Sequence, residues 1–150
     1  GAAHAGWRGL AGSQGDGVLE QTFESFSAPA HKGRAQAAIN TIAWLGPCIG
    51  PTAFEVGAEV RAAFVGNDPA AATCFTATAP GKYLADLPGL ARLRLQALGI
   101  TQIFGNDGSA PWCTVGNASR FFSHRRDAGV GVGGNGSGTT GRMAASIWLE

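Results

Sequence analysis

Residues 86–104 read DLPGLARLRLQALGITQIF, a pattern that predicts a helix followed directly by a strand. Pro88 comes shortly after Asp86, at a position where helices commonly begin, and Gly99 stands where a left-handed residue often ends one. Residues 100–104 (ITQIF) are rich in β-branched and aromatic side chains, which favours a strand. The buried face of the predicted helix would be formed by Leu90, Leu93 and Leu98.

On both sides of this unit, short apolar segments alternate with turn residues. Apolar residues recur at helical spacing between residues 18 and 26, and Gly46-Pro47 ends a β-branched run that predicts a buried strand. A helix, strand, loop, helix, strand order of short elements is typical of a layered α/β or α+β domain. The remaining predictions are helices at 18–26 and 54–64, strands at 1–3, 39–45, 112–115 and 142–149, and loops at 28–36 and 46–51.

The composition limits the classes of function. The chain has 150 residues, of which 45% are apolar and 14% charged, so a single domain can bury a core. Its 24 glycines favour many tight turns over long helices. A net charge of +1 argues against nucleic acid as a partner. A membrane partner is also not expected, because no apolar run approaches the roughly 18 residues of a membrane helix.

The cysteines are few and widely spaced. Cys48, Cys74 and Cys113 include no CxxC pair, so neither a disulfide framework nor a zinc knuckle is indicated. We therefore expect a reducing, cytoplasmic location. The thiolates of Cys48 and Cys113 could bind a metal or act as nucleophiles, although free cysteines are more often small buried apolar groups.

Two segments bear on the domain organisation. Residues 128–141 contain seven glycines and no charged side chain, which predicts a flexible loop. Gly1 runs directly into a small apolar segment, as a strand does when it continues from a preceding sequence. We therefore expect residues 1–150 to form one domain that continues from a longer protein, with a processed or tagged N-terminus as the alternative.

Two polar segments could carry chemistry. In residues 4–9 (HAGWRG), the imidazole of His4 could bind a transition metal and Arg8 could hold a phosphate or carboxylate. The alternative is a turn with a surface arginine. In residues 121–127 (FFSHRRD), aromatic and guanidinium groups could form a pocket for an anion or a purine, or the run could be a solvated strand end.

Seven short blocks resemble, in order, the signature blocks of the YfiH or laccase-domain family. They extend over nearly the whole chain, and their shared order makes a chance match hard to sustain. The resemblance implies a four-layer α-β-β-α sandwich, here incomplete at its N-terminus, in enzymes that act on purine nucleosides. The blocks are HAGWRGL at 4–10, AWLGPCIGP at 43–51, FEVG at 54–57, YLADL at 83–87, CT at 113–114, FFSHRRD at 121–127 and TGRMA at 140–144.

The resemblance also implies a chemistry. Members bind zinc through a His, a Cys and a second His, convert adenosine, guanosine and inosine to free base and ribose 1-phosphate, and deaminate adenosine. His4 matches the last metal ligand, and the other two would precede Gly1. A small-molecule substrate is therefore expected, together with phosphate. The implied catalytic residues are Arg8, Cys113 and Arg125, and the implied phosphate-binding residues are Arg8, Arg125 and Arg126.

Other functions stay open. Older family naming implies copper as the cofactor of a polyphenol oxidase or laccase, but three histidines, His4, His31 and His124, are few for a multicopper centre. Hydrolytic editing of peptidoglycan precursors would use the same pocket. A chain with one metal ligand could also be inactive, because a catalytic zinc needs about three protein ligands. The preferred purine and the oligomeric state are not indicated.

Overall fold

The structure, a computed structural model, describes residues 1–28, 33–127 and 140–145. The helices of these ranges are α1 (Trp7–Ala11), α2 (Val18–Ser27), α3 (Arg34–Ile39), α4 (Ala58–Val65), α5 (Leu87–Ala97) and α6 (His124–Asp127). The strands are β1 (Ile42–Leu45), β2 (Glu55–Gly57), β3 (Phe75–Ala79), β4 (Lys82–Ala85) and β5 (Gln102–Gly105). Short 3₁₀ turns cover Pro69–Cys74 and Ala110–Trp112.

The strands form one parallel and one antiparallel sheet. β1 pairs with β5 in parallel, with Trp44 opposite Phe104 and Leu45 opposite Gly105. The second sheet has the order β2-β4-β3 and is antiparallel throughout. The predicted mixed α/β class is therefore confirmed. Both carboxyl ends of the parallel pair lie at one edge, where an α/β sheet usually receives its ligand.

Helix α5 begins and ends as the sequence predicts. The Asp86 side chain accepts a hydrogen bond from the Gly89 amide at 2.9 Å, and Pro88 occupies the first turn, where its missing N–H costs nothing. Gly99 adopts φ +87°, a left-handed value that a residue with a side chain tolerates poorly. The helix therefore returns the chain directly into β5.

Two clusters of buried residues share helix α5. Leu90 belongs to the larger cluster, with α1, α4 and the antiparallel sheet, while Leu95 belongs to the smaller one, with α2 and α3. Each such buried side chain contributes about 2 kcal/mol of transfer free energy. The buried members are Leu10, Ala11, Phe54, Val56, Val60, Phe64, Ala71, Ala85, Leu87, Leu90 and Ala91 in the larger cluster, and Phe23, Ala38, Leu95 and Ile100 in the smaller.

Several predicted elements differ from the structure. Residues 112–115 do not form a strand, because the amide of Cys113 returns to the carbonyl of Ala110 at 3.1 Å and closes a turn instead. Residues 1–3 have no strand partner among the described residues. The predicted helix at 54–64 begins only at Ala58, since the preceding residues form β2. The hairpin of β3 and β4 was not predicted.

The predicted buried strand at 39–45 is shorter and more exposed than expected. It spans Ile42–Leu45, and alternate side chains face outward, with Ile42 62% and Trp44 46% exposed. Helix α3 takes the preceding residues. Residues 142–145, the described part of the predicted strand at 142–149, are not in a strand. The described residues do not include the rest of that strand, the glycine loop at 128–139 or His31. None of the helices in the described ranges is long and apolar enough to cross a membrane.

Candidate functional site

Asn106 organises the carboxyl ends of the two parallel strands. This side chain is 2% exposed, and its Nδ2 donates to the carbonyl of Gly46 at 3.1 Å and to Sγ of Cys48 at 3.3 Å. Its Oδ1 accepts the amide of Gly108 at 2.9 Å. The amide therefore links the loop that follows β1 to the loop that follows β5.

Arg92 fixes the same edge from helix α5. Its guanidinium donates to the carbonyls of Ile103 at 3.1 Å and Asn106 at 2.8 Å, and reaches that of Gly105 at 3.5 Å. Charge-assisted bonds of this kind are stronger than neutral ones. The end of β5 is therefore held at a defined position beneath the loops.

A cavity of about 120 Å³ lies at this edge of the sheet. Ala3 and Ala5 form part of its wall, so the segment that carries His4 borders the same cavity as Cys48 and Asn106. His4 itself is exposed. The other lining residues are mostly apolar: Leu10, Val18, Leu19, Leu45, Gly46, Leu87, Pro88 and Ala91.

Cys48 and Cys113 are bridge partners in a short parallel pairing beside this cavity. Burial raises the pKa of Cys48 to about 11, a rise that the Asn106 hydrogen bond only partly offsets. Sγ of Cys113 accepts the amides of Gly50 at 3.3 Å and Gly116 at 3.4 Å. Burial would raise the pKa of Cys113, but these N–H groups outweigh it and lower that pKa below its ordinary value.

Helix α6 is attached to the Cys113 loop through Arg126. All five N–H groups of this guanidinium have acceptors within the protein: the carbonyls of Thr114, Val115 and Phe121 and the carboxylate of Asp127. The closest of these bonds measure 2.7 Å. No donor is left over for a phosphate in this conformation, so the contacts favour a positioning role for Arg126.

Arg125 and Arg8 are the more accessible guanidiniums. Arg125 lies 5.5 Å from the ring centroid of Phe54 and donates to the carbonyl of Glu55 at 3.3 Å. Arg8 lies 4.7 Å from the ring of Trp7. Both side chains are exposed, and both stack on aromatic rings that pack in or against the larger core cluster.

Arg94 and Glu20 hold the segment that follows α1. The pair lies 2.9 Å apart with side chains only 12% and 17% exposed. Arg94 also donates to the carbonyls of Ala11 and Gly15, and Glu20 accepts the amide of Gly17 at 2.9 Å. These contacts fix α1, and hence Arg8, relative to helices α2 and α5.

The structure does not bring the predicted site residues into one cavity, because His4, Arg8, Cys113, Arg125 and Arg126 are not among its lining residues. The His4 segment borders the cavity that Cys48 lines, Cys48 pairs with Cys113, and Arg126 binds the residues that follow Cys113. Sequence reasoning missed Asn106 and Arg92. The available signal for Asn106 was the turn-forming Asn-Asp-Gly at 106–108, just after the predicted strand at 100–104.

His4 is the metal ligand that the sequence predicts for this chain. Within residues 1–28, 33–127 and 140–145, no three His, Cys, Asp or Glu side chains are placed to hold a metal ion. His4 offers a single exposed imidazole beside the cavity, and one donor does not fit a zinc site, which needs about three. No reaction step can therefore be routed through a metal from these residues alone.

The carboxyl edge of a parallel strand pair, with its loops and a cavity, is where α/β proteins commonly bind small molecules. Residues 1–150 match the family model described as multi-copper polyphenol oxidoreductase laccase, and the chain belongs to that family. The family resemblance of the seven sequence blocks is thereby confirmed.

Curated relatives carry a more specific name. The chain is 48% identical over 148 residues to the purine nucleoside phosphorylase YfiH of Escherichia coli, covering 99% of this chain and 50% of that protein. It is 43% identical over 150 residues to a Pseudomonas aeruginosa purine nucleoside phosphorylase, covering 99% and 51%. The chain thus spans about half the length of these relatives.

Solved structures show the same fold. The Neisseria meningitidis protein NMB0706 is 46% identical with a TM-score of 0.67, over 83% of this chain and 45% of that one. YlmD from Geobacillus stearothermophilus is 31% identical with a TM-score of 0.67, over 83% and 43%. The fold is therefore of the YfiH type, and this chain covers part of it.

Proposed function

We propose purine nucleoside phosphorolysis as the activity of this protein, with adenosine, guanosine and inosine as substrates. The observation that supports it best is the shared cavity, which joins the His4 segment to Cys48 and Asn106 at the carboxyl edge of the sheet. The relatives' names support the same reaction class. In this reaction a phosphate oxygen bonds to C1′ of the ribose while the glycosidic bond breaks and the base leaves with its electron pair.

The exposed guanidiniums suit the anionic substrate. Arg8 and Arg125 would bind phosphate bidentately and screen its charge as it approaches the ribose. Arg126 would position its neighbour Arg125 by holding helix α6 on the carbonyls of Thr114 and Val115. Cys113 would lie next to the substrate pocket and support the reaction from there. Backbone amides that donate to its sulfur lower its pKa.

Zinc is the proposed metal, with His4 as this chain's ligand to it. Held by ligands in addition to His4, zinc would supply a Lewis acid that can lower the pKa of water toward neutrality. Adenosine deamination is a second proposed reaction. Copper-dependent phenol oxidation is the alternative activity that the family description favours. A cytoplasmic location is also part of the proposal.

An assay of the intact protein that contains residues 1–150, with inosine, phosphate and zinc, tests the main proposal. Hypoxanthine and ribose 1-phosphate should form only when phosphate is present. His4→Ala should lose zinc and nucleoside cleavage together. A chain that binds stoichiometric zinc but forms no ribose 1-phosphate would contradict the assignment, and unchanged zinc in His4→Ala would remove His4 from the metal site.

Variants of the arginines test the phosphate site separately. Arg8→Ala and Arg125→Ala should each raise KM for phosphate about tenfold, the loss of roughly 1.4 kcal/mol of binding. Arg34→Ala is the matched control, because Arg34 is exposed and its ion pair with Glu24 lies at the surface. If both variants instead lose thermal stability while KM for phosphate stays unchanged, the two arginines are structural.

A further inference from the structure

Two cysteines are neighbours in the candidate site, where Cys48 lines the cavity and Cys113 is its bridge partner. Cys48 and Cys113 are partners in a parallel β-bridge, and the amide of Thr114 donates to the carbonyl of Cys48 at 2.9 Å. Paired strands lie about 4.8 Å apart, and disulfides form between Cα atoms about 4.4–6.8 Å apart. The backbone spacing of this pair therefore suits a disulfide, although both thiols are free.

The two sulfurs have complementary surroundings. Sγ of Cys113 faces the amides of Gly50 and Gly116, which stabilise the thiolate. Cys48 is held as a thiol by burial and keeps its proton at neutral pH. Cys48 also lines the cavity, which gives a small oxidant a route to the pair. One sulfur is thus suited to attack and the other to resolve the product.

Cys74 differs from this pair in its position. It ends the 3₁₀ turn Pro69–Cys74 and is not a member of the Cys48–Cys113 bridge. Burial raises its pKa, so the thiol is the stable form there. Cys74 therefore serves as an internal control for the reactivity of the other two.

We propose that Cys48 and Cys113 form a redox-sensitive site that closes into a disulfide on reaction with a hydroperoxide. The Cys113 thiolate attacks the O–O bond of hydrogen peroxide, which gives a sulfenic acid and a hydroxide that takes up a proton to become water. Cys48 then attacks that sulfur, so the S–S bond forms and the S–O bond breaks. A second water leaves with the proton of Cys48, and both thiols are oxidised by one peroxide.

Closure of the disulfide changes the site around it. Sγ of Cys48 would leave the Nδ2 of Asn106, and Sγ of Cys113 would leave the amide of Gly50. The loop at 46–51 would therefore shift at the carboxyl end of β1, where it borders the cavity. This inference concerns the thiols alone and stands whether or not the protein cleaves nucleosides.

Thiol mapping of the 150-residue chain tests the proposal. The folded protein is treated with dilute hydrogen peroxide, alkylated, digested and analysed by mass spectrometry. We expect two of the three thiols to disappear, a mass loss of two hydrogen atoms, and one cross-linked peptide joining Cys48 to Cys113. Dithiothreitol should restore all three, and Cys74→Ala should give the same cross-link.

Cys48→Ser separates the two steps. In this variant the sulfenic acid has no resolving thiol, so dimedone should label Cys113 and the mass should rise by oxygen rather than fall. Circular dichroism checks that the Cys48→Ser variant is folded. If the variant does not fold, the cross-linked peptide of the wild-type chain decides the question. Preferential oxidation of Cys74, cross-links only between chains, or oxidation of Cys113 without any Cys48 cross-link in the wild-type chain would each overturn the proposal.

Discussion

Asp127 joins the end of helix α6 to two other parts of the chain. Its carboxylate accepts the amide of Ser123 and the hydroxyl of Thr140, both at 2.8 Å, and pairs with Arg126. The amide of Ser123 contributes most to lowering the pKa of Asp127, followed by the Thr140 hydroxyl, while desolvation of the carboxylate opposes them. The ionised carboxylate therefore stabilises the folded state.

We expect Asp127→Asn to lower Tm at about pH 7 and to have progressively less effect as the pH falls through the acid range. A carboxylate whose pKa is depressed on folding stabilises the protein fully above its ordinary value of 3.8 and loses that contribution as the pH falls through the folded value. Thermal denaturation followed between about pH 3 and pH 7 measures this.

Asp107→Asn is the comparison for that experiment, because the carboxylate of Asp107 bonds only within its own turn, to Ser109 at 2.9 Å. The fall in Tm should be smaller there. Equal falls for the two variants, or a deficit in Asp127→Asn that does not change with pH, would show that Asp127 does not hold α6 through its charge.

Among the elements, those with strong local signals could be predicted from sequence. Helix α5 has its proline, its leucines and its left-handed glycine in one continuous run, and α2 shows a clear helical period. The strand prediction for residues 112–115 was wrong. Their apolar and β-branched side chains suggest a strand, but the Cys113 amide bonds to the Ala110 carbonyl in a local turn. Local hydrogen bonds prevailed over propensity there.

The candidate site was predicted only where residue type reveals it. His4, Arg8, Cys113 and Arg125 stand out as titratable or nucleophilic groups in dense motifs. Asn106 could not be identified as a site residue from sequence, because its hydrogen bonds to Gly46 and Cys48 join residues 60 and 58 positions apart. Contacts at that separation follow from the register of β1 and β5, which the sequence alone does not fix.

Two glutamates on helix α2 permit a matched test of how α1 is held. Glu20→Gln should destabilise the protein by about 3 kcal/mol, because it leaves Arg94 without a charged partner in a largely buried setting. Glu24→Gln should cost under about 1 kcal/mol, since the Glu24–Arg34 pair is 52% and 59% exposed. Urea denaturation of both variants checks this. Similar losses would mean that the Arg94 contacts do not anchor the segment.

At the scale of the whole molecule, one face of the parallel sheet is apolar and exposed. Ile42, Trp44 and Phe104 project from it with 62%, 46% and 55% of their surfaces exposed, and Trp112 contacts the edge of Trp44 at 5.9 Å between ring centroids. Within the described residues nothing covers this face. Apolar patches of this kind promote association in water.

We therefore expect the 150-residue chain to associate as its concentration rises, and Ile42→Thr combined with Phe104→Thr to suppress this. Threonine, like isoleucine and phenylalanine, favours strands, so both substitutions should preserve β1 and β5. Each one removes apolar surface from the exposed face. Phe122→Thr is the control, because Phe122 is 50% exposed but lies outside the sheet. Sedimentation velocity over a concentration series measures the effect. If the wild-type chain remains monomeric, or if Phe122→Thr suppresses association equally, the face of β1 and β5 does not drive association. Equal suppression would mean that the loss of any exposed apolar side chain has the same effect.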